Sequence, residues 1–273
     1  MEHKTLGEIM HNCMIKTYPN GLQEVTACPS ALFRERGYED ASKWKPDSRR
    51  AVGVNDEAAN LERAKRRART MIRDLARSND FRYFVTLTLS ADKVTNRYDV
   101  ASVITDITRW LDNRVRRKGL LYVLVAEEHK DGGIHFHGFM NDALAVVDSG
   151  TLCQGGNRPR KPRSKRQRAA WISEGWHVVY NIPEWGYGFT TAIELYGERD
   201  KAIGYTCKYI SKAEKKLGGR WYYHGGRLQL PSVSYEDVDD WESFAAEHSN
   251  SQFTLDSLGI TMIRYLRRRD NDG

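Results

Sequence analysis

Two histidines one residue apart, His135 and His137, stand in the run Ile134-His135-Phe136-His137-Gly138-Phe139-Met140. Just before it lies Leu121-Tyr122-Val123-Leu124-Val125-Ala126-Glu127-Glu128. Both runs are short, rich in β-branched and aromatic residues, and separated by the turn signal Asp131-Gly132-Gly133, so they read as a hairpin of two strands. Side chains two apart on a strand share a face, which puts both imidazoles on one side and Ile134 and Phe136 on the other. With a carboxylate from the neighbouring strand, they would make a metal site open on one side. Glu127 and Glu128 point to opposite faces, so only one of them can serve. Two imidazoles and one carboxylate suit Mg²⁺ or Mn²⁺ bridging to a phosphate oxygen. A His-x-His strand also occurs in cupin-type oxygenases and zinc hydrolases. Here His137 is followed by Gly138-Phe139-Met140, with no Asp-His pair to complete a hydrolase ligand set. His129, in the turn between the strands, faces solvent or adds a fourth ligand.

A second group lies seventy residues on, in Gly204-Tyr205-Thr206-Cys207-Lys208-Tyr209-Ile210-Ser211-Lys212. On a helix, Tyr205 and Tyr209 share a face, and Lys208 and Lys212 each follow a tyrosine by three. A phenol is a poor nucleophile unless cations favour its ionised form, which the lysines and a metal-bound phosphate would do. The plainer alternative is one tyrosine in the core and the lysines on a solvated face.

The elements that must position these groups read as follows. A helix runs from a cap at Asn55 or Asp56 to about Ser78, with Ala58, Leu61, Ala64, Ala68, Ile72 and Leu75 on one face and bases on the other; it packs on a sheet or touches nucleic acid. Tyr83 to Leu89 is a strand with Thr86 and Thr88 on one face. Tyr98 to Lys118 is an amphipathic helix stopped by Gly119. From about 148 to 170 the composition turns to Gly, Pro, Arg and Lys, a loop or partly disordered insertion. Strands follow at 176–180 and 188–195, a helix at 199–217, and a short aromatic strand at 221–223. Strand, helix, then hairpin points to an α+β chain whose antiparallel sheet carries helices on one face. Residues 1–50 look irregular, apart from a hairpin around Asn20-Gly21. The tail carries a helix near Leu255 to Arg269.

The chain has 273 residues, 40% hydrophobic and 29% charged, with net charge +7. These are globular values with room for a substantial core. No apolar run is long enough for a membrane span and the first residues do not form a secretory signal, so a cytoplasmic protein without a membrane partner is expected. Cys13, Cys28, Cys153 and Cys207 lack metal-type spacing and read as free thiols. The bases cluster at Lys65–Arg69, at Arg267–Arg269 and, most densely, at Arg158, Arg160, Lys161, Arg163, Lys165, Arg166 and Arg168. Such a run suits a polyphosphate backbone or a solvated surface. Trp171, Trp176, Trp185 and Tyr187 could stack on bases, with at least two of them packing in the core instead.

Taken in order, these motifs resemble the HUH endonucleases, in particular the rolling-circle replication initiators of small single-stranded DNA phages and related plasmids. Phe84-Val85-Thr86-Leu87-Thr88-Leu89 looks like their first motif. Glu127 precedes His135-Phe136-His137 by the family's spacing, which favours Glu127 over Glu128 as ligand. Tyr205-x-x-Lys208-Tyr209-x-x-Lys212 looks like their nucleophile helix in its paired-tyrosine form. Trp221-Tyr222-Tyr223, with Leu228 and Pro231, resembles the strand that closes the domain. The resemblance spans roughly residues 81–231. It implies a ferredoxin-like or RNA-recognition-type core of about five strands, within a catalytic domain at 55–232. An N-terminal extension (1–54) and a C-terminal tail (233–273) flank that domain. It also implies Mg²⁺ or Mn²⁺ on His135, His137 and Glu127, and attack by Tyr209 or Tyr205 on single-stranded origin DNA. The products would be a 5′-phosphotyrosine and a free 3′-hydroxyl. The basic insertion would hold the DNA backbone, and a bacterial host's helicase and polymerase would be partners. A relaxase or transposase would keep this chemistry, and a non-cleaving nucleic-acid binder would keep only the fold.

Overall fold

The computed structural model describes residues 10–34, 57–128 apart from 95 and 97, 132–195 apart from 156, and 197, 199–255 and 260–268. His129 lies outside the described residues. The chain divides into two compact units, one of them Asp56–Gln229 and the other drawn from both flanks.

Before the larger unit come the short strands β1 (Met10–His11), β2 (Cys13–Thr17), β3 (Leu22–Ala27) and β4 (Phe33–Arg34). The larger unit then runs α1 (Glu57–Ser78), β5 (Tyr83–Thr88), α2 (Val100–Lys118), β6 (Tyr122–Glu128), β7 (Ile134–Met140), β8 (Val147–Cys153), α3 (Lys165–Ser173), β9 (His177–Asn181), β10 (Thr190–Glu194), α4 (Arg199–Lys212) and β11 (Tyr223–Gly225). Its strands form one antiparallel sheet in the order β11-β6-β7-β5-β10-β9-β8. The α+β class read from the sequence therefore holds. The sheet is wider than the five strands expected, because β9 and β8 extend it beyond β10.

Alternation along the strands divides the apolar residues between two cores. Leu87, Leu124, Ala126, Ile134 and Phe136 point to one face and pack with Val103, Ile107, Trp110 and Leu111 of α2. Val123, Val125 and Phe139 point to the other and pack with Ala68, Ile72 and Leu75 of α1 and Ile203, Cys207 and Ile210 of α4. Helices thus cover both faces, not one. The reason is that β6 and β7 are apolar on both sides, the mark of a strand buried from above and below.

α2 begins at Asp99, whose carboxylate accepts from the N–H groups of Ala101 and Ser102 at 3.1 and 3.2 Å, a capping arrangement that satisfies donors the helix itself leaves unpaired. α4 is held by α1 at several points. The Arg199 guanidinium, at the first turn of α4, donates to the carbonyls of Ala76, Asn79 and Phe81 at 3.1–3.4 Å, a cation where the α1 dipole ends negative. Arg77 pairs with Asp200 at 2.9 Å, and Arg69 donates to the Ser211 hydroxyl at 3.2 Å. The basic side of α1 is therefore partly spent on fixing α4.

The segment expected to be an irregular insertion is more ordered than its composition suggests. Val147–Cys153 is an edge strand and Lys165–Ser173 a helix. The Ser164 hydroxyl starts that helix by accepting from the Gln167 N–H at 3.1 Å, which composition alone does not reveal. All four cysteines are free and buried. Among the described residues, no helix is long and apolar enough to cross a membrane.

The second unit adds β12 (Ser232–Glu236), α5 (Trp241–Glu247), β13 (Gln252–Leu255) and β14 (Ile260–Arg268). Its sheet runs β12-β2-β3-β14-β13, all antiparallel. Trp241 and Phe244 of α5 pack with Tyr265 on Cys13, Ile15, Val25 and Ala27. The hairpin around Asn20-Gly21 is present as β2–β3. The helix expected near Leu255 to Arg269 is not: Ile260–Arg268 is a strand paired with Leu22–Ala27. β-branched Ile260, Thr261 and Ile263 favour that state, and a partner strand more than two hundred residues upstream decides it.

Candidate functional site

His135 and His137 project from β7 onto the face covered by α1 and α4. The register sets their neighbours: Glu127 of β6 and Thr88 of β5 flank His135, while Val125 and Thr86 flank His137. Gly138 makes this close pairing feasible. A Cβ there would sit 2.0 Å from the Val123 carbonyl oxygen, so only glycine fits beside the second histidine.

Each imidazole is held from behind by a threonine. The Thr86 hydroxyl lies 3.1 Å from His137 Nδ1, and the Thr88 hydroxyl 3.3 Å from His135 Nδ1. On its other side, His137 Nε2 meets a Glu127 carboxylate oxygen at 3.1 Å. A carboxylate can only accept, so Nε2 carries the proton and Nδ1 accepts from Thr86. A hydroxyl can donate or accept, so Thr86 would serve equally well if Nε2 gave up its proton to become a ligand. The sequence placed both threonines on one face but held no sign that they orient the histidines, since that depends on register.

Glu128, on the opposite face, pairs with Lys215 at 3.2 Å. Of the two glutamates, Glu127 is the one that faces the imidazoles. Among the described residues, no group of three or more His, Cys, Asp or Glu side chains is gathered tightly enough to hold a metal ion as it stands. The donor chemistry nonetheless fits a hard divalent cation: two imidazoles with fixed outer nitrogens and one carboxylate on a shared face.

α4 brings both tyrosines to this face. The Tyr209 ring lies over the His137 ring with centroids 4.2 Å apart and planes within 5°. Tyr205 stands edge-on to Tyr209 at 5.1 Å and to Phe84 at 5.7 Å, with nearly half its surface exposed. The Tyr209 phenol is pushed well above its ordinary range by burial first, then by its hydrogen bond with Tyr205 and by the Glu127 carboxylate. Lys208 and Lys212 are exposed on the same helix. The protein as it stands thus disfavours a Tyr209 phenolate, and positive charge has to arrive from elsewhere to reverse that.

The basic residues lie apart from this cluster. Arg158, Arg160, Lys161, Arg163, Lys165 and Arg166 are exposed, and Arg168 pairs with Asp148 at 2.6 Å. Trp171 and Trp176 stack on each other at 4.5 Å. Trp185 is buried against Trp110, and its indole donates to the Thr88 carbonyl at 3.1 Å. Tyr187 packs against the same core.

Residues 82–214 match the family model of the replication-associated protein ORF2. The matched stretch opens at the residue before β5 and closes two residues beyond α4. It therefore takes in Thr86, Thr88, Glu127, both histidines, both tyrosines and both lysines. The match supports a role as a replication initiator. Comparison with curated proteins gave no match, and neither did comparison with solved structures.

Proposed function

We propose that this chain initiates rolling-circle replication as an HUH-type endonuclease, nicking and rejoining single-stranded origin DNA through a tyrosine. The observation that carries the reading is the seat of Tyr209, stacked on His137 beside Glu127 within the stretch that matches a replication-associated family. Mg²⁺ or Mn²⁺ held by His135, His137 and Glu127 would supply the positive charge that draws in a phosphate oxygen and favours a nearby phenolate.

The chain's own residues do the rest. Thr86 and Thr88 fix the imidazoles, and α1 fixes α4 and hence both phenols. Tyr209 attacks the phosphorus while its proton leaves along the hydrogen bond to Tyr205, whose ring reaches solvent. The tyrosine oxygen–phosphorus bond forms as the bond to the 3′ oxygen breaks, giving a 5′-phosphotyrosine and a free 3′-hydroxyl that a polymerase can extend. That link retains the energy of the phosphodiester, so attack by a later 3′-hydroxyl, or by Tyr205, rejoins DNA without ATP. Lys208 and Lys212 add positive charge on the tyrosine helix. The exposed bases between Arg158 and Arg166, with Arg168, hold the backbone without reading sequence.

The test uses a random single-stranded oligonucleotide library labelled at its 3′ end, incubated with the protein and Mn²⁺ and resolved on a denaturing gel. A labelled covalent adduct is expected, and Tyr209→Phe should abolish it. An adduct that survives in Tyr209→Phe but not in Tyr205→Phe reverses the order of the tyrosines. Undiminished adduct in the double phenylalanine variant sinks the reading, and undiminished adduct in His135→Ala/His137→Ala removes the metal from it.

A further inference from the structure

Of the large apolar side chains in the described residues, Phe189 is the most exposed, with 71% of its surface open. Its position is fixed by the sheet. The Thr88 N–H donates to the Phe189 carbonyl at 2.8 Å and the Ser90 N–H to the Tyr187 carbonyl at 2.9 Å, continuing the β5–β10 ladder by one pair. Phe189 therefore lies directly opposite Thr88 and shares its face. Thr190, its neighbour, turns the other way and is buried, its hydroxyl accepting from the Ile182 N–H at 2.8 Å. A single row thus crosses four strands on the side that carries the histidines: Phe189, Thr88, His135, Glu127.

An exposed phenylalanine at a loose loop tip would call for no comment. This one is held rigidly. Gly188 presses so close that a Cβ there would lie 2.3 Å from the Thr88 carbonyl oxygen, and Trp185 donates to that same oxygen. The ring stands two strand spacings, about 10 Å, from His135. Tyr205, the other exposed aromatic of the site, rises from the covering helix on the same face. A flat, water-facing ring on a rigid strand beside a phosphate-cutting centre has the chemistry of a base-stacking platform.

We propose that Phe189 stacks on a base of the single-stranded DNA next to the scissile phosphate and so holds the strand across the row towards His135. The inference rests on the nicking reading for the identity of the strand, but its test does not depend on nicking. Binding of a fluorescently labelled oligothymidylate, and of an abasic strand of equal length, is measured by anisotropy without added metal. The variants are Phe189→Ala, Phe189→Leu and Phe189→Trp. Phe189→Ala and Phe189→Leu should each weaken oligothymidylate binding roughly 5- to 100-fold. Phe189→Trp should restore it, and all four proteins should bind the abasic strand alike. Thermal melting should be unchanged, since the ring packs on little.

Wild-type affinity for oligothymidylate in Phe189→Ala overturns the platform. So does an equal loss on the abasic strand, or failure of the wild-type protein to bind oligothymidylate at all. If Phe189→Ala forms covalent adduct and binds as the parent does, the platform falls while nicking stands. If no protein forms adduct yet the stacking pattern appears, nicking falls and the platform stands.

Discussion

The rings of Tyr209 and His137 lie face to face at 4.2 Å, so one tyrosine both caps a histidine and shields it from solvent. Packing and chemistry can be separated at this contact. Tyr209→Phe keeps the stack and loses only a hydrogen bond with Tyr205, a change within about 1 kcal/mol. Tyr209→Ala opens the half-buried seat and should cost roughly 2 kcal/mol. Urea unfolding should show that difference, while the adduct assay shows the two variants equally inactive.

Thr86 and Thr88 can be replaced by valine at nearly constant shape. Each change removes the hydroxyl beside an imidazole Nδ1 and leaves the ring free to rotate. Loss of such an orienting partner typically weakens metal binding roughly 10- to 100-fold. Mn²⁺ titration by calorimetry should show that loss in either single variant, with melting temperatures close to the parent's. Unchanged Mn²⁺ affinity would mean that the histidines need no such support.

Alkaline pH should destabilise the larger unit in a defined window. The Tyr122 phenol is pushed up to about 12, by burial first and Asp112 second, and Tyr209 is raised as well. In the unfolded chain both phenols ionise near their ordinary value, about 10. Below that pH both states are protonated and stability does not depend on these groups. Above it the unfolded state loses its protons first, so stability is lost as pH rises towards about 12. Each phenol should contribute up to about 1.4 kcal/mol per pH unit. Unfolding free energies at several pH values should show the decline, and Tyr122→Phe should remove part of its slope.

Gly138→Ala should be among the most damaging single-methyl changes. The new carbon would meet the Val123 carbonyl oxygen at 2.0 Å, where neither strand can yield without breaking the β6–β7 ladder. A loss of about 2–3 kcal/mol or more is expected, together with a displaced His137. Calorimetric melting provides the check, and a melting temperature equal to the parent's would contradict the close approach.

Much of the site could be read from local pattern. Ile134–Met140 is a strand at the residues where alternation placed one, and the spacing of Tyr205 and Tyr209 does put both on one helical face. What could not be read depends on partners distant in sequence. The pairing of Thr88 with His135 and of Phe189 with Thr88 needs the strand register, which neither strand encodes alone. Ile260–Arg268 carries apolar residues at spacings that suit a helix as well as a strand, and only its pairing with Leu22–Ala27 resolves the choice. The apolar residues on both sides of β6 and β7 were visible, but their meaning, helices above and below, was not drawn from them.

The five-stranded sheet takes β2 and β3 from one end of the chain and β12 to β14 from the other, with Asp56–Gln229 between them. During translation, its first hairpin must wait for its partners while some 174 residues emerge, roughly ten to forty seconds at ordinary ribosome speeds. The unit bearing the histidines and tyrosines can finish folding on the ribosome in that interval, so a stalled or prematurely terminated chain would release the nuclease-like part without its companion sheet.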